Sequence, residues 1–311
     1  MRVVFVGGTR FVGPPAVRHL RTAGHEVAVA HSGEHEHPSL SDLEHLHGTR
    51  QELLSAGGAV ERWHPEAIID TFAGGATAQK ATGLVSCASR AGAGQIVAIS
   101  SIDVYQYCVD AGLGDGSATL ALPRQALPLN ESAPLRHGPY PGARSGHDNT
   151  AMEAALREVQ QLTVLRPGAI YGPHADARES YLVQRIARGE RRLELPDGGA
   201  QHWHRVAVER VGASVAASLE HAPDGFWACN VVDPYNWSYA ALAAQIAAIL
   251  DWEWEPTRVT FSETDHPWQT AHPVLCSDQR LRETLRVNTP DPHDALTETV
   301  HWLWKHHEQL N

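Results

Sequence analysis

Lysine is nearly absent from this chain: Lys80 and Lys305 are the only two among 25 Lys and Arg residues. Any mechanism that needs a side-chain ammonium has just those candidates. Cysteine is scarce as well. Cys87, Cys108, Cys229 and Cys276 are scattered with no Cys-x-x-Cys spacing, which excludes a zinc ribbon or a disulfide framework and predicts four reduced residues. No run of about 18 apolar residues is present to form a membrane span. The N-terminus enters a strand-like run with no charged-then-apolar leader, so the expectation is a cytoplasmic protein. Positive charge is in deficit, with a formal net charge of −11, which argues against a nucleic-acid surface. Repeats and low-complexity tracts are lacking.

What is present is an alternation of apolar runs and helix-like segments. Strands are predicted at Arg2 to Val6, Glu26 to Ala30, Ala67 to Asp70, Gln95 to Ser100 and Thr163 to Arg166. Helices are predicted at Val12 to Ala23, Gln51 to Ala56, Gln79 to Ala91 and Asn149 to Gln160. This rhythm predicts an α/β fold, a Rossmann-type doubly wound parallel sheet with a smaller C-terminal α/β substrate lobe. Residues 1–168 form the NAD(P)-binding domain, with a return segment near 204–234, and 169–203 with 235–311 form the lobe. There, helices are predicted at Tyr181 to Arg188, Arg210 to His221, Tyr239 to Leu250 (capped by Ser238) and Asp294 to His306.

The most informative motif is Gly7-Gly8-Thr9-Arg10-Phe11-Val12-Gly13, directly after the first strand. Glycines that turn a buried strand sharply into a helix aim backbone N–H groups and a helix N-terminus at one point, which favours a pyrophosphate. The second strand ends in Ala30-His31-Ser32-Gly33, with no carboxylate at its tip to hold ribose hydroxyls. A 2′-phosphate is then not repelled, and Arg10 or a protonated His31 would pair with it. NADP is accordingly favoured over NAD. Downstream, His31, His35 and His37 with Glu34 and Glu36 make a His/Glu-rich loop; alternating loop histidines without a fixed partner set read as solvated, and no metal is assigned. Trp252, Trp254, Trp302 and Trp304 read as core packing or a subunit contact.

Gly7 to Gly13, the run Ile99-Ser100-Ser101-Ile102-Asp103-Val104-Tyr105 and the run Leu165-Arg166-Pro167-Gly168-Ala169-Ile170-Tyr171-Gly172-Pro173 occur in that order. Together they resemble the extended short-chain dehydrogenase/reductase superfamily, in its NAD-dependent epimerase/dehydratase branch. Asn230 to Pro234 and Trp237-Ser238-Tyr239 resemble that branch's later region. The Gly-Gly-Thr-Arg-Phe variant is similar to atypical members that include the chloroplast stem-loop RNA-binding proteins.

The resemblance implies that Gly7, Gly8, Phe11, Val12 and Gly13 surround the pyrophosphate; Thr9, Arg10, His31 and Ser32 are further cofactor-binding candidates. Phe72, Ala73 and Gly74 would line the adenosine side, and Pro167, Gly168, Ala169 and Ile170 the nicotinamide. Ser101 falls on the family's catalytic Ser/Thr. The family's Tyr-x-x-x-Lys pair has no intact counterpart. Tyr140-Pro141-Gly142-Ala143-Arg144 is nearest, with Arg144 for lysine; a second register counted back from Glu153 puts Asn149 at the lysine and leaves His147 or Ser145 near the tyrosine. Tyr140 is the first proton carrier and His147 the second, since histidine titrates near neutrality without a lysine beside it.

Where relatives acting on nucleotide sugars carry an arginine for the diphosphate, this chain reads Trp203-His204 with Arg205 close by. Trp203 and Arg205 are the substrate candidates. Two functions compete: hydride exchange on a sugar-like or other small hydroxy/carbonyl substrate as epimerase, dehydratase or reductase, and a catalytically silent cofactor sensor or RNA-binding protein. A small molecule is the expected partner, nucleic acid and membrane are not, and a homodimer is left open.

Overall fold

The computed structural model describes residues 1–113, 125–174, 178–260, 270, 272–288 and 291–309. In chain order these form β1 (Arg2–Val6), α1 (Gly13–Thr22), β2 (Glu26–His31), β3 (Glu44–His47), α2 (Arg50–Leu54), α3 (Ala59–Trp63), β4 (Ala67–Asp70), α4 (Ala78–Ala91), β5 (Gln95–Ile99), α5 (Gln106–Asp110), α6 (Asn149–Leu156), β6 (Gln161–Pro167) and β7 (Ala169–Tyr171). There follow α7 (Arg178–Ala187), β8 (Arg192–Pro196), β9 (Arg205–Ala207), α8 (Val208–His221), β10 (Phe226–Val231), α9 (Tyr239–Ile249), β11 (Glu255–Val259), α10 (Gln279–Glu283) and α11 (Pro292–His306).

Seven strands make one parallel sheet in the order β10-β6-β5-β4-β1-β2-β3. The sequence order reverses between β1 and β4, the crevice where ligands of such sheets bind. Strand residues alternate between two cores, as period-2 side chains must. Val3, Phe5, Val27 and Val29 pack under α1 and α8, while Val4, Val6, Ala28 and Ala30 face α4 and α6. Gly212 permits the α1–α8 contact, because a Cβ there would lie 2.8 Å from the backbone of Pro15 and Ala16.

The predicted strands are present, the last extended to Gln161–Pro167, and the predicted helices differ by a residue or a few at their ends. The short strand β3 was not predicted, since Glu44-His45-Leu46-His47 is nearly all polar. Its hydrogen bonds to β2 place it at the sheet edge. Away from the main sheet, β7 pairs with β9 and β8 with β11. A separate core built from α7, α9 and α11 with Tyr105, Tyr171, Trp203 and Val274 lies there. Among the described residues no helix is long and apolar enough to cross a membrane, and the four cysteines are buried and unpaired.

Candidate active site

The chain leaves β1 in a left-handed turn at Gly7 (φ +75°) and Phe11 (φ 40°), and enters α1 at Gly13. A Cβ on Gly13 would fall 1.7 Å from the Gly8 carbonyl oxygen, so only glycine lets the helix begin against the loop. Pro14 and Pro15 sit in the first turn, where a missing N–H is harmless. The N–H groups of Gly8, Thr9, Arg10, Phe11 and Val12 reach no acceptor among the described residues. Five unspent donors at the start of a ten-residue helix fit an anion, which is the requirement of a dinucleotide pyrophosphate.

The opposite wall follows β4. Buried Asp70 takes two bonds from Arg50, at 3.0 and 2.5 Å, and accepts the Phe72 N–H at 2.7 Å. Lys80 Nζ donates to the carbonyls of Ala73 (3.0 Å) and Gly75 (2.7 Å). Burial, then the neighbouring Arg50 charge, lowers the Lys80 pKa. One of the two lysines therefore stiffens the segment that carries Phe72, Ala73 and Gly74.

At the tip of β2, His31 is buried and its Nε2 lies 2.7 Å from His45 Nδ1, while its Nδ1 accepts the Gly33 N–H at 3.1 Å. Burial and the nearby His45 and His47 hold its pKa below the ordinary value, so at neutral pH the ring is neutral and engaged with β3. The Arg10 side chain is exposed and makes no hydrogen bond or ion pair among the described residues.

A cavity of about 510 Å³ opens beside the glycine turn, lined by Val12, Phe72, Ser101, Asp103, Tyr140, Arg144, His147, Asn149 and Ile170 among others. Ser101 and the later segment that carries Tyr140, Arg144 and His147 thus meet in one space. Ser101 Oγ accepts the Asp103 N–H at 3.1 Å, which leaves its own proton to donate. Tyr140 and Arg144 lie in an irregular segment turned by Gly142 (φ 72°) and not on a helix. The Arg136 guanidinium sits 5.5 Å from the Tyr140 ring centre.

Beneath them lies a polar cluster. The Asp103 carboxylate accepts from Asn149 Nδ2 (3.1 Å to each oxygen) and Arg136 (3.2 Å), with His147 Nε2 at 3.8 Å. Burial raises the Asp103 pKa, but bonds from His147 and Asn149 and the charge of Arg136 outweigh it, and the carboxyl stays below its ordinary range. Arg136 also binds Asp148 (3.0 Å), the N-cap of α6. Asp103 and Arg136 were missed in the sequence: Asp103 stands two residues after Ser101, a signal that was available, whereas Arg136 arrives from a distant loop with no local signature.

Pro167 and Gly168 end β6, and a Cβ on Gly168 would sit 2.4 Å from the His204 carbonyl oxygen. Behind the cavity, Glu153 clamps Arg166 at 2.6 and 3.0 Å and accepts the Ser100 hydroxyl at 2.6 Å. Trp203 and Arg205 are both buried and do not line the cavity. Arg205 is ion-paired with Glu179 and stacked 4.3 Å from the Tyr171 ring centre.

Known proteins match this architecture. No protein-family model matches the chain. A 2′-dehydrokanamycin reductase of Streptomyces kanamyceticus is 28% identical over 231 residues, 70% of this chain and 58% of that protein's length. A 3-diazoavenalumate denitrifying reductase of a Streptomyces species is 29% identical over 245 residues, 70% of this chain and 72% of that protein. Among solved structures, UDP-glucose 4-epimerase of Thermotoga maritima superposes with a TM-score of 0.74 at 17% identity, over 98% of this chain and 99% of that one. A dTDP-glucose 4,6-dehydratase of Streptomyces venezuelae with NAD bound gives 0.74 at 19% identity over the whole of both chains. The chain has the fold of this epimerase and this dehydratase. The proteins matched are named as reductases, an epimerase and a dehydratase.

Proposed function

We propose that the chain is an NAD(P)-dependent oxidoreductase that reduces a carbonyl of a small, sugar-like or other hydroxylated compound, with NADP as the preferred coenzyme. The observation that carries this reading is the cavity that Val12 of the glycine motif lines together with Ser101 and Tyr140. Gly7 to Gly13 would hold the pyrophosphate, Phe72, Ala73 and Gly74 the adenosine side, and Pro167, Gly168, Ala169 and Ile170 the nicotinamide. When bound, the coenzyme supplies hydride.

The chain's own residues do the rest. Ser101, whose Oγ accepts the Asp103 N–H, keeps its own proton and donates a hydrogen bond to the substrate oxygen, which fixes its direction. Tyr140 gives that oxygen its proton, with Arg144 supplying positive charge at the mouth. Asp103, Asn149 and Arg136 anchor the start of α6 and hold the floor, and His147 braces Asp103. Arg205 is buried, ion-paired with Glu179 and outside the cavity lining, which favours a substrate without a nucleoside diphosphate. The two relatives named as reductases support the direction of the reaction.

The NADP preference rests on the unpaired Arg10 and on the absence of a carboxylate at the β2 tip, where a 2′-phosphate meets charge complementarity instead of repulsion. Fluorescence titration with NADPH and NADH tests it. Binding of NADPH at least tenfold tighter is expected; equal affinities remove the preference, and no binding of either at millimolar concentration overturns the whole reading.

A further inference from the structure

The histidine-rich loop after β2 becomes a different object once β3 lies beside it. Parallel pairing sets His31 opposite His47 and Val29 opposite His45. Because side chains alternate along a strand, His45 and His47 emerge on one face of β3, and that is the face of His31. Three imidazoles are brought together there, with ring centres 4.7 to 5.8 Å apart. The loop then returns Glu36, whose Oε1 lies 3.0 Å from His47 Nε2. One nitrogen or oxygen from each of the four lies within 4.8 Å of those from the others.

We propose that His31, Glu36, His45 and His47 form a binding site for one divalent transition-metal ion of the zinc, cobalt or nickel class, at the sheet edge beside the coenzyme cleft. Three imidazoles and a carboxylate are the donors that such ions select, and they do not suit calcium or magnesium. His45 is already set as a ligand: its Nε2 donates to the Leu40 carbonyl at 2.8 Å, which fixes the tautomer and leaves the Nδ1 lone pair facing the cluster. A carbonyl behind a ligating histidine is the usual outer support of a metal site.

His31 needs one adjustment. The Gly33 N–H on Nδ1 keeps the ring proton on Nε2 in the metal-free chain; on metal binding that proton moves to Nδ1 and the exposed glycine peptide, at φ +86°, turns its N–H away. Tetrahedral donors about 2.0–2.2 Å from zinc stand roughly 3.4 Å apart, so Glu36 and His47 must also close in. Both are exposed and free to move. The ion would pin loop and edge strand together in a place where β3 has a strand neighbour on one side only.

The test uses tag-free full-length protein stripped with a chelator, titrated with ZnCl2 by calorimetry and with CoCl2 by visible absorption. One equivalent of zinc and the ligand-field bands of tetrahedral cobalt are expected, with affinity falling at least tenfold in His45→Ala and His47→Ala and unchanged in His35→Ala. Should His45→Ala fail to fold by circular dichroism, the exposed Glu36→Gln and His47→Gln carry the test. The proposal is overturned if no stoichiometric binding occurs, if cluster variants bind like the parent, or if His35→Ala loses as much. Coenzyme titration plays no part, so failure here leaves the oxidoreductase reading untouched.

Discussion

His147 Nε2 lies 3.8 Å from Asp103 Oδ2 while its Nδ1 accepts the Ala76 N–H at 3.2 Å. Both ring nitrogens are thus turned to the chain, and the proposed proton donor is Tyr140, whose side chain lines the cavity. Tyr140→Phe is predicted to lower kcat by about 10²–10⁴-fold, the usual contribution of a general acid, and His147→Asn by about tenfold or less. Steady-state kinetics on both variants check this. Equal losses would move the proton to the imidazole.

Arg10→Ala is predicted to weaken NADPH binding by about 10- to 100-fold, the range of a lost charge-assisted hydrogen bond of roughly 1.5–3 kcal/mol, and to leave NADH binding within a factor of two. Tryptophan fluorescence quenching measures both. A parallel loss for the two coenzymes would assign Arg10 to the pyrophosphate instead.

Glu153→Ala leaves the Arg166 guanidinium, 1% exposed, without its carboxylate. Breaking a buried pair from one side costs about 3–5 kcal/mol, so a large fall in the urea midpoint is predicted. Replacing both partners, as Glu153→Leu with Arg166→Met, is predicted to recover most of it, because no charge is then stranded. If the single variant unfolds at the wild-type midpoint, the pair contributes nothing.

His204 is held neutral. Its Nε2 donates to the Asp233 carbonyl at 2.8 Å and its Nδ1 accepts the Cys276 N–H at 2.9 Å. Burial lowers its pKa from 6.5 to about 4. The unfolded chain therefore takes up a proton at higher pH than the folded one, and stability is lost as pH falls from 6.5 towards 4. Two and a half units correspond to about 3 kcal/mol from this residue. Urea unfolding at pH 7 and pH 4.5 checks it: His204→Gln, which has no proton to gain, is predicted to lose less on acidification than the parent.

The apolar core strands and the glycine turn were legible in the sequence because each writes its constraint locally: near-continuous burial on both faces in β1, β2, β4 and β5, and a backbone at Gly7 and Gly13 that tolerates no Cβ. Edge strand β3 was not, since a strand paired on one side need not be apolar. The histidine cluster was hidden with it. Local spacing also could not reveal that Arg136 would reach Asp103 across 33 positions, or that Glu179 would take up Arg205, because long-range ion pairs leave no periodic trace. Tyr140 to Arg144 lacks a helix for a local reason: proline and glycine at 141 and 142 are the poorest helix formers.

The fixing of Lys80 onto two carbonyls bears on which compounds the cleft tolerates. Ketones and aldehydes condense with free primary amines, and an enzyme that handles them risks blocking itself with an imine. Here the neighbouring amine is engaged with Ala73 and Gly75, Lys305 lies on α11 outside the cavity lining, and positive charge around the cavity comes from the guanidinium groups of Arg136 and Arg144. Guanidinium stays protonated and is a poor nucleophile. On the proposed reading, the cleft would orient a carbonyl compound without an amine condensing with it.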